Sequence, residues 1–177
     1  GSINQALIPT KINRSEIGAG KFPAVETLSA GHSHCAAISE QGGLWTWGWN
    51  EDGQLGLEHL DSFHYMPQQV RGTLNGKICT TVGCGDRHTV VAAFDASGET
   101  ERGVSLAYSF GSNSSGQLGI GKEKGDMGYV ESVPTPQQVV FNPDLEFGLG
   151  KMTTHFRAAS HSQAEGGTRP RPRSPAA

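Results

Sequence analysis

The sequence repeats itself, and a self-similar chain folds as a series of like units that bury their apolar faces against one another. Gly31-His32-Ser33-His34-Cys35-Ala36-Ala37 returns 54 residues later as Gly85-Asp86-Arg87-His88-Thr89-Val90-Val91. Trp47-Gly48-Trp49-Asn50-Glu51-Asp52-Gly53-Gln54-Leu55-Gly56 returns 63 residues later as Phe110-Gly111-Ser112-Asn113-Ser114-Ser115-Gly116-Gln117-Leu118-Gly119. The nine extra residues fall between Ser97 and Ser105 and read as a lengthened hairpin turn. Pro9-Thr10-Lys11-Ile12, Pro67-Gln68-Gln69-Val70 and Pro136-Gln137-Gln138-Val139 mark the junctions between units.

Each unit divides into four short strands. In the first they are expected at 24–30, 35–39, 44–47 and 66–70, with Gln41-Gly42-Gly43 as a tight hairpin. Trp45, Trp47 and Trp49 alternate with Thr46 and Gly48, so the three indoles share one face of a strand. Glycine, at 25 of 177 residues, is about twice its usual share, as many strands joined by tight turns require. No stretch of comparable length combines helical apolar spacing with caps. Radially repeated four-stranded units are propeller blades. The expected fold is therefore all-β: a partial β-propeller over residues 1–140, a divergent segment at 141–159, and a disordered Arg/Pro-rich tail at 160–177. A closed propeller needs at least about four blades. Two recognisable blades and the edge of another are expected to be a fragment that self-associates through unpaired strand edges.

The repeated residues read as structural. Trp47 and Phe110 are expected to pack between neighbouring sheets, while Gly48 and Gly111 leave room for a close backbone approach. Asn50 and Asn113 hydrogen-bond their own turns. Within the same motif, with Gln54 and Gln117, Gly53 and Gly116 suit positive φ, Leu55 and Leu118 anchor the loop, and Gly56 and Gly119 release the chain. Gly31 and Gly85 open turns that place His34 and His88 as structural histidines rather than metal ligands.

Charge and cysteine content exclude several functions. Residues 156–177 carry four Arg and one Glu, so the body before them holds ten cations against sixteen anions. A mildly acidic body disfavours a broad nucleic-acid face. Cys35, Cys79 and Cys84 are odd in number and include no CxxC, which favours reduced core cysteines over a disulfide framework or a zinc site. Neither a signal peptide nor an apolar run of about 18 residues occurs, so an intracellular chain, cytoplasmic or nuclear, without a membrane partner is expected. Gly116 to Lys122 imitates a phosphate loop, but Glu123 stands where Ser or Thr would bind Mg²⁺. Without a gathered nucleophile and base, covalent catalysis, a cofactor and a metal are not expected.

The pair of motifs, Gly-x-x-His with small residues and then Trp-Gly-x-Asn-x-x-Gly-Gln-Leu-Gly, resembles the repeat of the regulator of chromosome condensation family over residues 1–140. The resemblance implies a mostly seven-bladed parent propeller that binds other proteins. The family includes exchange factors for small GTPases, propellers joined to kinases or ubiquitin ligases, and a plant ultraviolet-B photoreceptor. It also implies that loop residues just after the repeat glycine face the partner. By position these are His32, Ser33, Asp86 and Arg87, of which Asp86 keeps the acidic character of the exchange factor's loops. The leading expectation is a protein-interaction propeller resembling guanine nucleotide exchange factors, with a non-enzymatic scaffold or recognition module as the alternative.

Overall fold

The computed structural model describes residues 22–95, 105–121 and 127–140. Eight strands follow one another: β1 Val25–Ala30, β2 His34–Ser39, β3 Leu44–Trp49, β4 Phe63–Gln69, β5 Lys77–Cys84, β6 His88–Asp95, β7 Leu106–Ser112 and β8 Ser132–Gln138. They form two four-stranded antiparallel meanders, ordered β1-β2-β3-β4 and β5-β6-β7-β8. Within each meander every strand pairs with its sequence neighbour, β1–β2 and β2–β3 through tight turns and β3–β4 through the longer loop 50–62. Gly42, at φ 77°, closes the β2–β3 hairpin, where its N–H and that of Ser39 complete the turn at 2.8 and 2.9 Å.

The two sheets repeat down to their irregularities. A register shift falls between Val25 and Thr27 in the first and between Cys79 and Thr81 in the second. Another falls between Thr46 and Gly48, and again between Ser109 and Gly111. The same repeat positions therefore carry the same bulges, which twist and re-aim the strands alike in both blades.

One core joins the blades. Ala36, Ile38, Leu44, Val70 and Leu74 of the first sheet and its exit pack against Cys79, Val82, Val91, Ala93, Tyr108 and Phe110 of the second. Leu74 enters from a 3₁₀ turn, Gly72–Leu74, that links the sheets. The opposite face of the first sheet gathers Phe22 and Ala37 with the half-buried Trp45, Trp47 and Met66. Equivalent positions thus meet different environments: Phe110 is 0% exposed between the blades, whereas its counterpart Trp47 is half-buried edge-on to Phe22 at 6.3 Å. Among the described residues Trp47 therefore meets Phe22 rather than a neighbouring sheet. Likewise Leu28 is 65% exposed, while Val82, one repeat on, is 7% exposed.

The strand positions expected from sequence hold to within a few residues, with one instructive difference. β4 starts at Phe63 rather than Met66 because Trp49 and Gly48 extend β3 and pair with Phe63 and His64. Trp49 and Phe63 then meet edge-to-face at 6.4 Å, a cross-strand aromatic pair. The lengthened hairpin at 97–104, the junction at 9–12, and the segments expected to diverge or be disordered after 140 lie outside the described residues. No helix among the described residues is long and apolar enough to cross a membrane.

Candidate functional site

Each blade places its β1–β2-type and β3–β4-type connections at one end, and the turns of adjacent blades interlock there. Gly31 N–H donates to the His34 carbonyl at 2.9 Å, and Gly85 N–H donates to the His88 carbonyl at 2.8 Å. The His32 N–H then reaches across to the Gly85 carbonyl at 3.3 Å. A Cβ on residue 31 would lie 2.2 Å from that carbonyl oxygen, so only glycine permits this approach between blades.

Below the turns, His34 is buried, and its Nε2 lies 2.9 Å from the Thr89 hydroxyl of the next blade. That hydroxyl donates its single proton to the Gln54 carbonyl at 2.8 Å, so it must accept from Nε2–H. Nδ1 is left as a buried acceptor without a hydrogen-bond partner. Burial, reinforced by nearby His88 and opposed by Asp86, lowers the His34 pKa to about 4 and keeps the ring neutral. His34 is therefore a strut between blades.

The repeat turn is fixed in the same way twice. Asn50 Oδ1 accepts from Leu55 N–H at 3.0 Å, and Asn113 Oδ1 from Leu118 N–H at 3.3 Å. Gln54 Oε1 accepts from Asp52 N–H at 3.0 Å, and Gln117 Oε1 from Ser115 N–H at 2.8 Å. Thr46 and Ser109 donate their hydroxyls to the Leu55 and Leu118 carbonyls at 2.7 and 2.6 Å. Gly53 and Gly116 adopt φ 78° and 73°. The glutamines are thus part of the turn itself, a role their spacing alone did not disclose.

On top of this frame stand the candidate contact residues. His32 Nδ1 lies 3.5 Å from Asp86 Oδ1, with side chains 79% and 70% exposed. Arg87 Nη1 lies 3.4 Å from Asp52 Oδ2. The structure therefore brings His32, Asp86 and Arg87 to one rim and adds Asp52, which sequence reasoning had left inside the turn motif. Gln54 holds the Asp52 backbone, which leaves the mostly covered Asp52 carboxylate to meet the Arg87 guanidinium. Ser33 sits lower, half-buried, and its carbonyl accepts from Trp49 N–H at 2.9 Å. Beside the rim a groove of about 600 Å³ is lined by Asp52, Asp86, Arg87, Ser114, Gln117 and Glu131, among others. Three carboxylates against one guanidinium make its lining predominantly acidic.

The cysteines do not supply a reactive centre. All three are free, and burial raises each thiol pKa, that of Cys79 to about 11, which keeps the thiols protonated and weakly nucleophilic.

The sequence pattern described as the Regulator of chromosome condensation (RCC1) repeat matches residues 41–92 and 106–161, and a second description of the repeat matches 25–54. The chain belongs to the RCC1 repeat family. Protein RCC2 homolog of Xenopus laevis is 33% identical over 127 residues, covering 70% of this chain and 21% of the relative. The X-linked retinitis pigmentosa GTPase regulator homolog of Caenorhabditis elegans is 39% identical over 103 residues, covering 57% of this chain and 7% of the relative. Among solved structures, yeast RCC1 (Prp20) bound to Kap60 superposes with a TM-score of 0.51 at 23% identity, over 65% of this chain and 25% of that one. The chain thus spans about a fifth of the RCC2 homolog. The two meanders are RCC1-type blades, and the likeness to the solved propeller is one of fold.

Proposed function

We propose that this RCC1-repeat chain contributes a protein-binding surface, and that its specific role is the regulation of a small GTPase in the manner of an exchange factor. The observation that carries the reading is the rim of exposed His32, Asp86 and Arg87 with the half-buried Asp52, assembled from three loops of two blades. The His32–Asp86 pair is exposed on both sides and contributes little to the fold, so exchanging it for charges on a partner costs little, and Arg87 stands exposed beside the more covered Asp52. Their acidic surroundings suit a basic patch on that partner. The GTPase assignment draws support from the relative named a GTPase regulator homolog.

Such a surface would act through binding alone. By holding a GTPase conformation with weak nucleotide affinity, it would speed nucleotide release without making or breaking a covalent bond. The test is release of fluorescent GDP from a panel of small GTPases in the presence of the protein. Acceleration for at least one member is expected, with Asp52→Ala and Asp86→Ala each weakening that GTPase's binding about fivefold or more and leaving the thermal melt unchanged. No acceleration across the panel refutes the exchange role and leaves only recognition. Unchanged affinity in both variants refutes the rim as the contact surface.

A further inference from the structure

The β3–β4 connection of the first blade carries, beyond Asp52, a second cluster that the protein-binding reading does not use. Sequence spacing drew attention to His32 and His34, but His34 is bonded to Thr89 and His32 to Asp86. The fold instead gathers His59, Asp61 and His64. His59 Nδ1 lies 3.3 Å from Asp61 Oδ2, and His64 Nε2 lies 3.6 Å from the same oxygen. One ligand-capable atom from each residue falls within 4.8 Å of the other two.

Two features hold the cluster in place. Asn50, fully buried, donates Nδ2–H to the His59 carbonyl at 2.9 Å and its own N–H to the Ser62 carbonyl at 3.2 Å, fastening the loop on both sides of Asp61. His64 lies on β4 in register with Gly48, so its ring rises from a fixed strand. The two imidazoles face each other with centroids 5.4 Å apart and planes tilted by 34°. His64 Nε2 is a buried polar atom without a hydrogen-bond partner, aimed at the Asp61 carboxylate from just beyond bonding distance. Buried polar atoms are nearly always satisfied, so one left just short of a bond calls for a further partner such as an ion.

We propose that His59, Asp61 and His64 form a site for a divalent first-row transition ion, with Zn²⁺ as the best fit. A tetrahedral ion with bonds of about 2.0 to 2.1 Å separates its ligand atoms by about 3.3 to 3.5 Å, which the two measured separations to Asp61 already approach. Two imidazoles and one carboxylate suit Zn²⁺ and its neighbours, whereas Ca²⁺ and Mg²⁺ require oxygen-rich shells. His59 would bind through Nδ1 and His64 through Nε2. The exposure of His59 and Asp61 leaves the fourth position open to water or to a ligand atom from a partner. Closing the triad would tie the β3–β4 loop to the start of β4.

The test titrates the untagged chain with ZnCl₂ by calorimetry, and with CoCl₂ by visible absorption, whose intense d–d bands report a tetrahedral site. One equivalent of each ion is expected, with affinity reduced at least about tenfold in Asp61→Asn and in His64→Ala, and unchanged in His32→Ala. Asp61 is solvent-exposed, so Asp61→Asn reads the ligand role without disturbing the fold, which a thermal melt checks. Absence of saturable binding overturns the proposal. So does binding that survives the His59→Ala/His64→Ala pair, or that falls equally in His32→Ala.

Discussion

Phe110 and Trp47 occupy the same position of the repeat, yet truncating them is expected to have unequal effects. Phe110 is 0% exposed, and its ring closes against Gly56, where an added Cβ would come within 2.8 Å of it. Removing it forfeits the transfer of a fully buried aromatic, about 1.5 to 3 kcal/mol, and leaves a cavity that the two rigid sheets cannot fill. Phe110→Ala is therefore expected to cost about 3 to 5 kcal/mol. Trp47 is half-buried beside Phe22 and Trp45, on a face where a lost ring is replaced by solvent rather than by a void. Roughly half of the transfer contribution and little cavity cost remain, so Trp47→Ala is expected to cost about 1 to 2 kcal/mol. Urea denaturation followed by far-UV circular dichroism measures both, because the midpoint shifts while the slope stays constant if the unfolded state is unaffected. Equal losses for the two variants, or a larger loss for Trp47→Ala, would refute the assignment of Phe110 to the inter-blade core and of Trp47 to the open face.

Two further outcomes follow from the frame beneath the rim. Gly111 adopts φ 108°, and a Cβ there would lie 2.5 Å from the Arg87 carbonyl oxygen, so Gly111→Ala is expected to lower stability by at least about 2 kcal/mol in the same denaturation assay. His34 has a folded pKa of about 4 against an ordinary 6.5, so the unfolded chain takes up its proton first. Its contribution is complete above about pH 7 and is lost as pH falls through 6.5 towards 4, by up to about 3 kcal/mol. Parallel pH–stability curves for the protein and His34→Gln would contradict that linkage.

Most of the architecture was legible because the repeat states its own geometry twice. Glycine at positions 48 and 111 marks the same bulge, Asn at 50 and 113 the same turn, and Gly-x-x-His the same interlocked end. These are local or nearest-neighbour constraints, which residue type and spacing encode directly. The start of β4 was not legible, since Phe63 and His64 join the sheet through pairing with Trp49 and Gly48 across a loop of irregular sequence. Three of the rim residues were found through resemblance to the family's loops. Asp52 was missed because its neighbours' structural roles masked a side chain that meets Arg87 of the next blade.

The sequence by itself determined that the chain is built of four-stranded antiparallel blades and which residues make their turns, because alternation, glycine placement and the doubled motif act over short separations. Only the tertiary structure decided which copy of each repeated residue is covered. It buried Phe110 and Val82 between blades while leaving Trp47 partly open and Leu28 exposed. It also decided that Asp52 meets Arg87 and that His59, Asp61 and His64 converge. Repetition gives equivalent residues the same backbone, but burial and encounter depend on what each blade packs against, and that is a property of the assembled chain.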